Sequence, residues 1–163
     1  MCIGMLIGIV IGMNDNQPTQ SSELSSDRSD IVILIIEDDA SIRKAINSLL
    51  SRQGYTVIEA GHGREGLGIL EDFGVDLVIT DIFMPNMDGL EVIRSIRKEN
   101  KDLKLIAISG GGQMHLTECL RWAKAFGADK TLTKPIKHTE LLANVVELTE
   151  PSDVNNNRVE EVT

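Results

Sequence analysis

The chain has 163 residues, 42% of them apolar and 25% charged, enough for one domain with a sizeable core plus flanking segments. Its formal charge of −9 argues against a nucleic-acid surface, because phosphates are met by Lys and Arg, and direct DNA binding is not expected. Residues 31–150 hold 14 basic and 18 acidic side chains, so more than half of the net charge falls in the flanks, as solvated tail.

Met1 to Met13 is apolar, but it is shorter than the roughly 20 residues of a membrane span and is interrupted by glycines. The first basic residue is Arg28, so the charged start of a signal peptide is missing. The stretch reads as a loose tail or as sequence upstream of a later start at Met13, and membrane association is not expected. Residues 1–30 therefore divide into an apolar start and a polar leader expected to be disordered, and residues 151–163 read the same way. The ordered domain is expected over 31–150.

Ile31–Ile36 is a continuous β-branched run, as in a strand buried on both faces. Ile42, Ala45, Ile46, Leu49 and Leu50 then repeat at helical spacing, stopped by Gly54. Tyr55–Ile58 is a second strand. Gly63 to Phe73 is a weaker helix, diluted by Gly66 and Gly68. Val75–Thr80 is a third strand, and Leu90, Ile93 and Ile96 mark a helix that starts near Asp88 or Gly89. Leu103–Ile108 is a fourth strand. Leu116, Cys119, Leu120, Ala123 and Phe126 mark the next helix, closed by Gly127. Lys130–Thr133 is a short fifth strand, and Leu141, Leu142, Val145 and Val146 give the last helix. Strands alternating with helices through short connections predict an α/β fold, a parallel sheet covered on both faces. Such sheets bind ligands outside the carboxyl ends of their strands.

Several chemically able residues fall at those ends. Glu37, Asp38 and Asp39 follow the first strand, and one of the two aspartates is accounted for as a helix cap. Asp81 ends the third strand, with Asp88-Gly89 supplying the next turn and cap. Two like charges ~4 Å apart repel by roughly 4 kcal/mol at an effective dielectric near 20. A gathered set of carboxylates therefore calls for a cation, and hard oxygen donors suit Mg²⁺. Asp81 can also serve as a nucleophile toward phosphorus. Lys134, before Pro135, can pair with Asp81 and then with a phosphoryl group; that peptide is a candidate for the cis form. Ser109, ending the fourth strand, can donate to a phosphoryl oxygen. Gly110-Gly111-Gly112 lacks the Lys-Ser/Thr ending of a P-loop and reads as a hinge. Cys2 and Cys119 lack zinc-site spacing and read as free thiols of a reducing compartment, Cys119 as a small core residue; His62, His115 and His138 read as surface residues.

Ile33-Leu-Ile-Ile-Glu-Asp38 with Arg43 beyond, Asp81-Ile-Phe-Met-Pro-Asn-Met-Asp-Gly-Leu90, Ala107-Ile-Ser109 and Lys134-Pro135 together resemble the receiver domain of two-component response regulators, over about residues 31–148. The resemblance implies a doubly wound, five-stranded parallel sheet in the order 2-1-3-4-5, the flavodoxin/CheY-like (βα)5 fold. It implies that Asp81 accepts phosphate from a histidine kinase or histidine phosphotransfer protein. Asp38 and Asp81 would bind Mg²⁺ directly, Glu37 through water, and the backbone carbonyl of Phe83 would complete the protein ligands. Ser109 would be the switch hydroxyl and Lys134 the partner of Asp81 and the phosphoryl group. The chain would be a phosphoacceptor that assists its own phosphorylation and dephosphorylation, not an enzyme on a separate substrate.

Two positions depart from the family's habit. Thr131 stands where Tyr or Phe often reports the phosphorylated state by rotating, and Gly110 stands where alanine is often found. Phe83, bulky beside the acceptor, is expected to shield the acyl phosphate from water. The expected chain is a cytoplasmic stand-alone receiver in a phosphorelay. Its output would pass to a downstream protein target through the fourth helix, fifth strand and last helix, with a phosphorylation-dependent homodimer as a further outcome. The alternative is a receiver-fold interaction module that works without phosphorylation. An aspartate-nucleophile phosphatase of the haloacid dehalogenase type needs a second Asp where Phe83 stands, and the acids at 37–39 would repel a flavin phosphate.

Overall fold

The computed structural model describes residues 28–110 and 116–150. Its strands are β1 (Val32–Ile36), β2 (Thr56–Ala60), β3 (Leu77–Asp81), β4 (Lys104–Ser109) and β5 (Lys130–Thr133). The intervening helices are α1 (Ala40–Ser51), α2 (Gly63–Asp72), α3 (Gly89–Glu99), α4 (Leu116–Ala125) and α5 (His138–Thr149). All strand pairs are parallel and the order is β2-β1-β3-β4-β5, as expected.

Alternation along the strands sorts the core into two layers. Ile33, Ile35, Leu77, Ile79, Ile106 and Ile108 pack with Ile46 and Leu50 of α1 and Leu141 and Val145 of α5. Leu34, Ile36, Val78, Leu105 and Ala107 face the opposite way, against Val92, Ile93 and Ile96 of α3 and Ala123 of α4. Each large aliphatic side chain so buried contributes roughly 1.5–3 kcal/mol. The chain leaves β1 through α1 on one face, and reaches β3 from β2 through α2 on the other. The carboxyl ends of β1 and β3 are thus neighbours from which the connections diverge, the switch-point crevice of such sheets.

The structure corrects three expectations. The ordered part begins before Asp30: Arg28–Asp30 forms a short 3-10 turn, because Arg28 pairs with Glu150 at 2.6 Å and lies over the Tyr55 ring. In α2, Gly66 is a packing requirement and not a dilution, since a Cβ there would lie 2.4 Å from Cδ1 of Ile36. Of the α2 glycines, Gly68 alone meets open space. Ala45, placed on the apolar stripe of α1, is exposed. Met1–Met13, most of the leader, Gly111, Gly112, His115 and the tail lie outside the described residues.

Candidate functional site

Four buried polar side chains lie at the carboxyl edge of the sheet or next to it: Glu37, Thr80, Asp81 and Ser109. Glu37 follows β1 directly, its N–H still donating to Ala60 O at the end of β2. Asp39 is the residue that caps: its Oδ1 accepts from Ser41 N at 2.7 Å and Ile42 N at 3.1 Å, and these two bonds hold its carboxyl below the ordinary range. That leaves Glu37 and Asp38 for other work. Oxygens of Glu37, Asp38 and Asp81 lie within 4.8 Å of one another, with Glu37 and Asp81 buried and Asp38 exposed. The expected convergence of acids from two segments is therefore present.

Lys134 provides the cation that makes this tolerable. Its Nζ donates to Asp81 Oδ2 at 2.6 Å and lies 2.8 Å from Glu37 Oε2, an ion contact without hydrogen-bond alignment. Burial pulls the ammonium toward deprotonation. The hydrogen bond to Asp81 and the ion contact with Glu37 outweigh that pull, so its pKa is raised. For Glu37 burial wins: its carboxyl is pushed above the ordinary value against the opposing pull of Lys134. The Lys134–Pro135 peptide is cis.

The loop after Asp81 is shaped by close approach. Ile82 N–H donates to Ile108 O, and Gly89 N–H returns to Ile82 O at 2.8 Å. A Cβ on Gly89 would sit 2.0 Å from the Asp81 carbonyl oxygen, so only glycine lets α3 start there. Asp88 caps that helix by accepting from Glu91 N, as expected. Phe83 donates its N–H to Asp81 Oδ1 at 3.2 Å while its ring is 46% exposed. Ser109 is fully buried, and among the described residues its Oγ has no hydrogen-bond partner. A buried hydroxyl in that condition has a free donor. Thr131 is half-buried on β5 opposite Ala107.

Sequence reading missed two local contacts. The stem of Lys134 lies over Gly110, where an added Cβ would stand 2.5 Å from Cδ, which accounts for glycine at that position. Arg43 also reaches the acid turn: its Nη1 donates to Glu37 O at 2.6 Å. Cys119 is half-buried against the α3–α4 core layer, and His62 is more than a surface residue, since its Nδ1 caps α2 by accepting from Glu65 N.

The acidic trio fits a divalent cation: three hard oxygen donors converge, one from the surface and two from the interior. Comparison with known proteins points the same way. Residues 33–146 match the family model of the response regulator receiver domain. The chain is 37% identical over 123 residues to "Sensor kinase CckA" of Brucella abortus, which covers 74% of the chain and 13% of that kinase. It is 36% identical over 113 residues to "Response regulator MprA" of Mycolicibacterium vanbaalenii, covering 69% of the chain and 48% of that regulator. The chain thus spans half or less of the length of these curated relatives. A solved response regulator receiver domain from Clostridium thermocellum superposes with a TM-score of 0.67 at 31% identity, over 72% of this chain and 93% of that one.

Proposed function

The chain belongs to the response regulator receiver family of two-component signalling, and from that premise we propose that Asp81 accepts a phosphoryl group from a phosphohistidine donor, with Mg²⁺ held by the acidic trio. One observation carries the reading: Lys134 bridges the buried carboxylates of Asp81 and Glu37, with Asp38 beside them. Asp38 and Asp81 would hold the ion directly and Glu37 through water, with the Phe83 carbonyl completing the set. Magnesium, when bound, supplies charge neutralisation to the phosphoryl oxygens.

The protein's own residues do the rest. A carboxylate oxygen of Asp81 forms the new bond to phosphorus as the phosphorus–nitrogen bond of the donor breaks, and the electron pair stays on the imidazole nitrogen. Phe83 N–H holds one Asp81 oxygen and fixes the plane of the nucleophile. Lys134 then moves its ammonium from the carboxylate to a phosphoryl oxygen. Ser109 donates its unpartnered hydroxyl to another, which draws the end of β4 toward the phosphoryl group and passes the change toward α4. A downstream protein reads the α4, β5 and α5 face. The half-exposed Phe83 ring covers the acyl phosphate from water, so phosphoryl lifetime shortens in Phe83→Ala.

Incubation with acetyl phosphate and Mg²⁺, read by intact mass, tests the reading. A single phosphoryl adduct is expected, lost in Asp81→Asn. A wild-type chain that takes up no phosphoryl group would instead be a phosphorylation-independent interaction module. Among the described residues no helix is long and apolar enough to cross a membrane.

A further inference from the structure

Beyond β1, few hydrogen bonds among the described residues hold the acid-bearing turn; one is internal, from Asp39 N–H to Glu37 Oε1 at 3.2 Å. Glu37 N–H makes the last strand bond, to Ala60 O at 3.1 Å, and Asp39 is already committed to the α1 cap. The backbone between them carries both Glu37 and Asp38. Lys134 holds the Glu37 carboxylate, but the carbonyls of this turn are held by Arg43, from the first turns of α1: Nη1 donates to Glu37 O at 2.6 Å and lies 3.5 Å from Asp38 O.

Arg43 is itself held. Its Nε donates to Glu59 Oε2 at 3.1 Å, and the side chain is 18% exposed. The other oxygen of Glu59 accepts from Asn47 Nδ2, one turn further along α1. Glu59 sits on β2 opposite Ile35. The guanidinium thus ties α1, β2 and the β1–α1 turn at one point. A planar fork can hold Glu59 and the Glu37 carbonyl together, whereas an ammonium presents a point charge to one or the other.

We propose that Arg43 is a positioning residue for the divalent-cation site, locking the Glu37–Asp38 turn so that both carboxylates converge with that of Asp81. The proposal rests on the reading of the acidic trio as a cation site. Without the guanidinium, the Glu37 carbonyl loses its bond and the turn regains rotational freedom. Mutual repulsion then spreads the acids, and a cation must gather them again before it binds.

The test is calorimetric titration of the full chain with MgCl₂, without phosphodonor, alongside thermal unfolding. Arg43→Met is expected to weaken Mg²⁺ binding roughly 10-fold or more, the usual effect of removing a group that orients metal ligands. Acetyl phosphate labelling of this variant should approach the wild-type rate at saturating Mg²⁺, so the defect lies in the Mg²⁺ requirement. Arg43→Lys is expected to fall between. Arg97→Met removes another well-anchored arginine, bonded to Gly127 O and Leu103 O at the far end of the sheet. It should lower Tm and leave Mg²⁺ affinity unchanged. An Arg43→Met chain that loses Tm as Arg97→Met does, but binds Mg²⁺ like wild type, would overturn the proposal and leave a plain structural ion pair. Should Arg43→Met not fold, Glu59→Gln and Arg43→Lys decide by the same criterion. A wild-type chain that binds no Mg²⁺ at all defeats the cation-site reading itself, a result distinct from any difference between variants.

Discussion

The two edges of one sheet use the same residue types for opposite ends. At the amino edge, Asp76 Oδ2 accepts from Val32 N–H and Asp129 Oδ2 accepts from Leu105 N–H, each at 2.8 Å. Asn100 Oδ1 accepts from Asp102 and Leu103, and Arg97 donates to Gly127 O, Leu103 O and Asp129. Each of these side chains satisfies backbone near a strand start. At the carboxyl edge the acids face one another across a lysine, and a buried serine hydroxyl has no partner among the described residues. These amino-edge side chains are structural, although the buried Tyr55 hydroxyl before β2 also has no partner among the described residues. The carboxyl edge stores unmet charge and hydrogen-bonding capacity that a cation and a phosphoryl group can relieve.

The largest effect that would sharpen this contrast is Lys134→Met. Removing the cation leaves the carboxylates of Glu37 and Asp81, 2% and 4% exposed, with no opposite charge. Breaking a buried pair from one side costs roughly 3 kcal/mol or more. Thermal unfolding without metal should show that loss, and Mg²⁺ should restore more Tm to the variant than it adds to wild type. Arg97→Met, at the amino edge, should lose about 1–3 kcal/mol by orphaning carbonyls, with no recovery from Mg²⁺. Equal recovery in both variants would break the comparison.

Gly89→Ala comes next. The methyl would meet the Asp81 carbonyl oxygen at 2.0 Å, and the obstacle is backbone, so the loop or the start of α3 must move. Overpacking of this kind costs about 1–3 kcal/mol. The same movement displaces the acceptor, so phosphoryl labelling should fall with Tm, and a variant that loses stability yet labels at the wild-type rate would separate loop geometry from chemistry.

A smaller, pH-dependent effect isolates Glu37. Its folded pKa lies above the ordinary 4.5 because burial disfavours the charged form. The neutral form therefore contributes stability that is full below 4.5 and lost as pH rises through the folded value. Glu37→Gln removes this titration. Without metal, wild type and variant should have similar Tm below pH 4.5, and the variant should gain on wild type as pH climbs. Asp39, with its pKa lowered from 3.8, loses its contribution below that value and does not overlap the window. A Tm difference independent of pH would mean that Lys134 fully compensates the buried charge.

Most of the fold was legible because each strand is a short apolar run between turn residues, and the helices carry their own periodicity. Boundaries moved where a polar residue continues a strand. β2 runs through Glu59 and Ala60 because their backbone pairs with Ile35 and Ile36, while the Glu59 side chain turns to Arg43 and Asn47. Of the candidate site, the acids and Lys134 were legible because strand ends in parallel sheets lie at one edge. The stem of Lys134 over Gly110, Gly89 against Asp81 and the Arg43 anchor were not. Each depends on how two distant backbones approach, which local pattern does not encode. Gly66 shows this plainly, since it looks like Gly68 in sequence, yet only Gly66 faces the Ile36 side chain.

The mildest prediction concerns Gly74, in the connection entering β3 at the amino edge. An added Cβ would meet nothing within 4 Å there, and its φ lies outside the left-handed range that favours glycine. Alanine at such a position stabilises by about 0.4–1 kcal/mol, chiefly by restricting the unfolded chain. Gly74→Ala should therefore raise Tm slightly while leaving Mg²⁺ affinity and phosphoryl labelling at wild-type values. Gly74 is then conformational slack, and Gly89 at the carboxyl edge is a geometric necessity. If Gly74→Ala instead weakened labelling, the amino edge would be coupled to the acceptor, and the division of labour between the two edges would not hold.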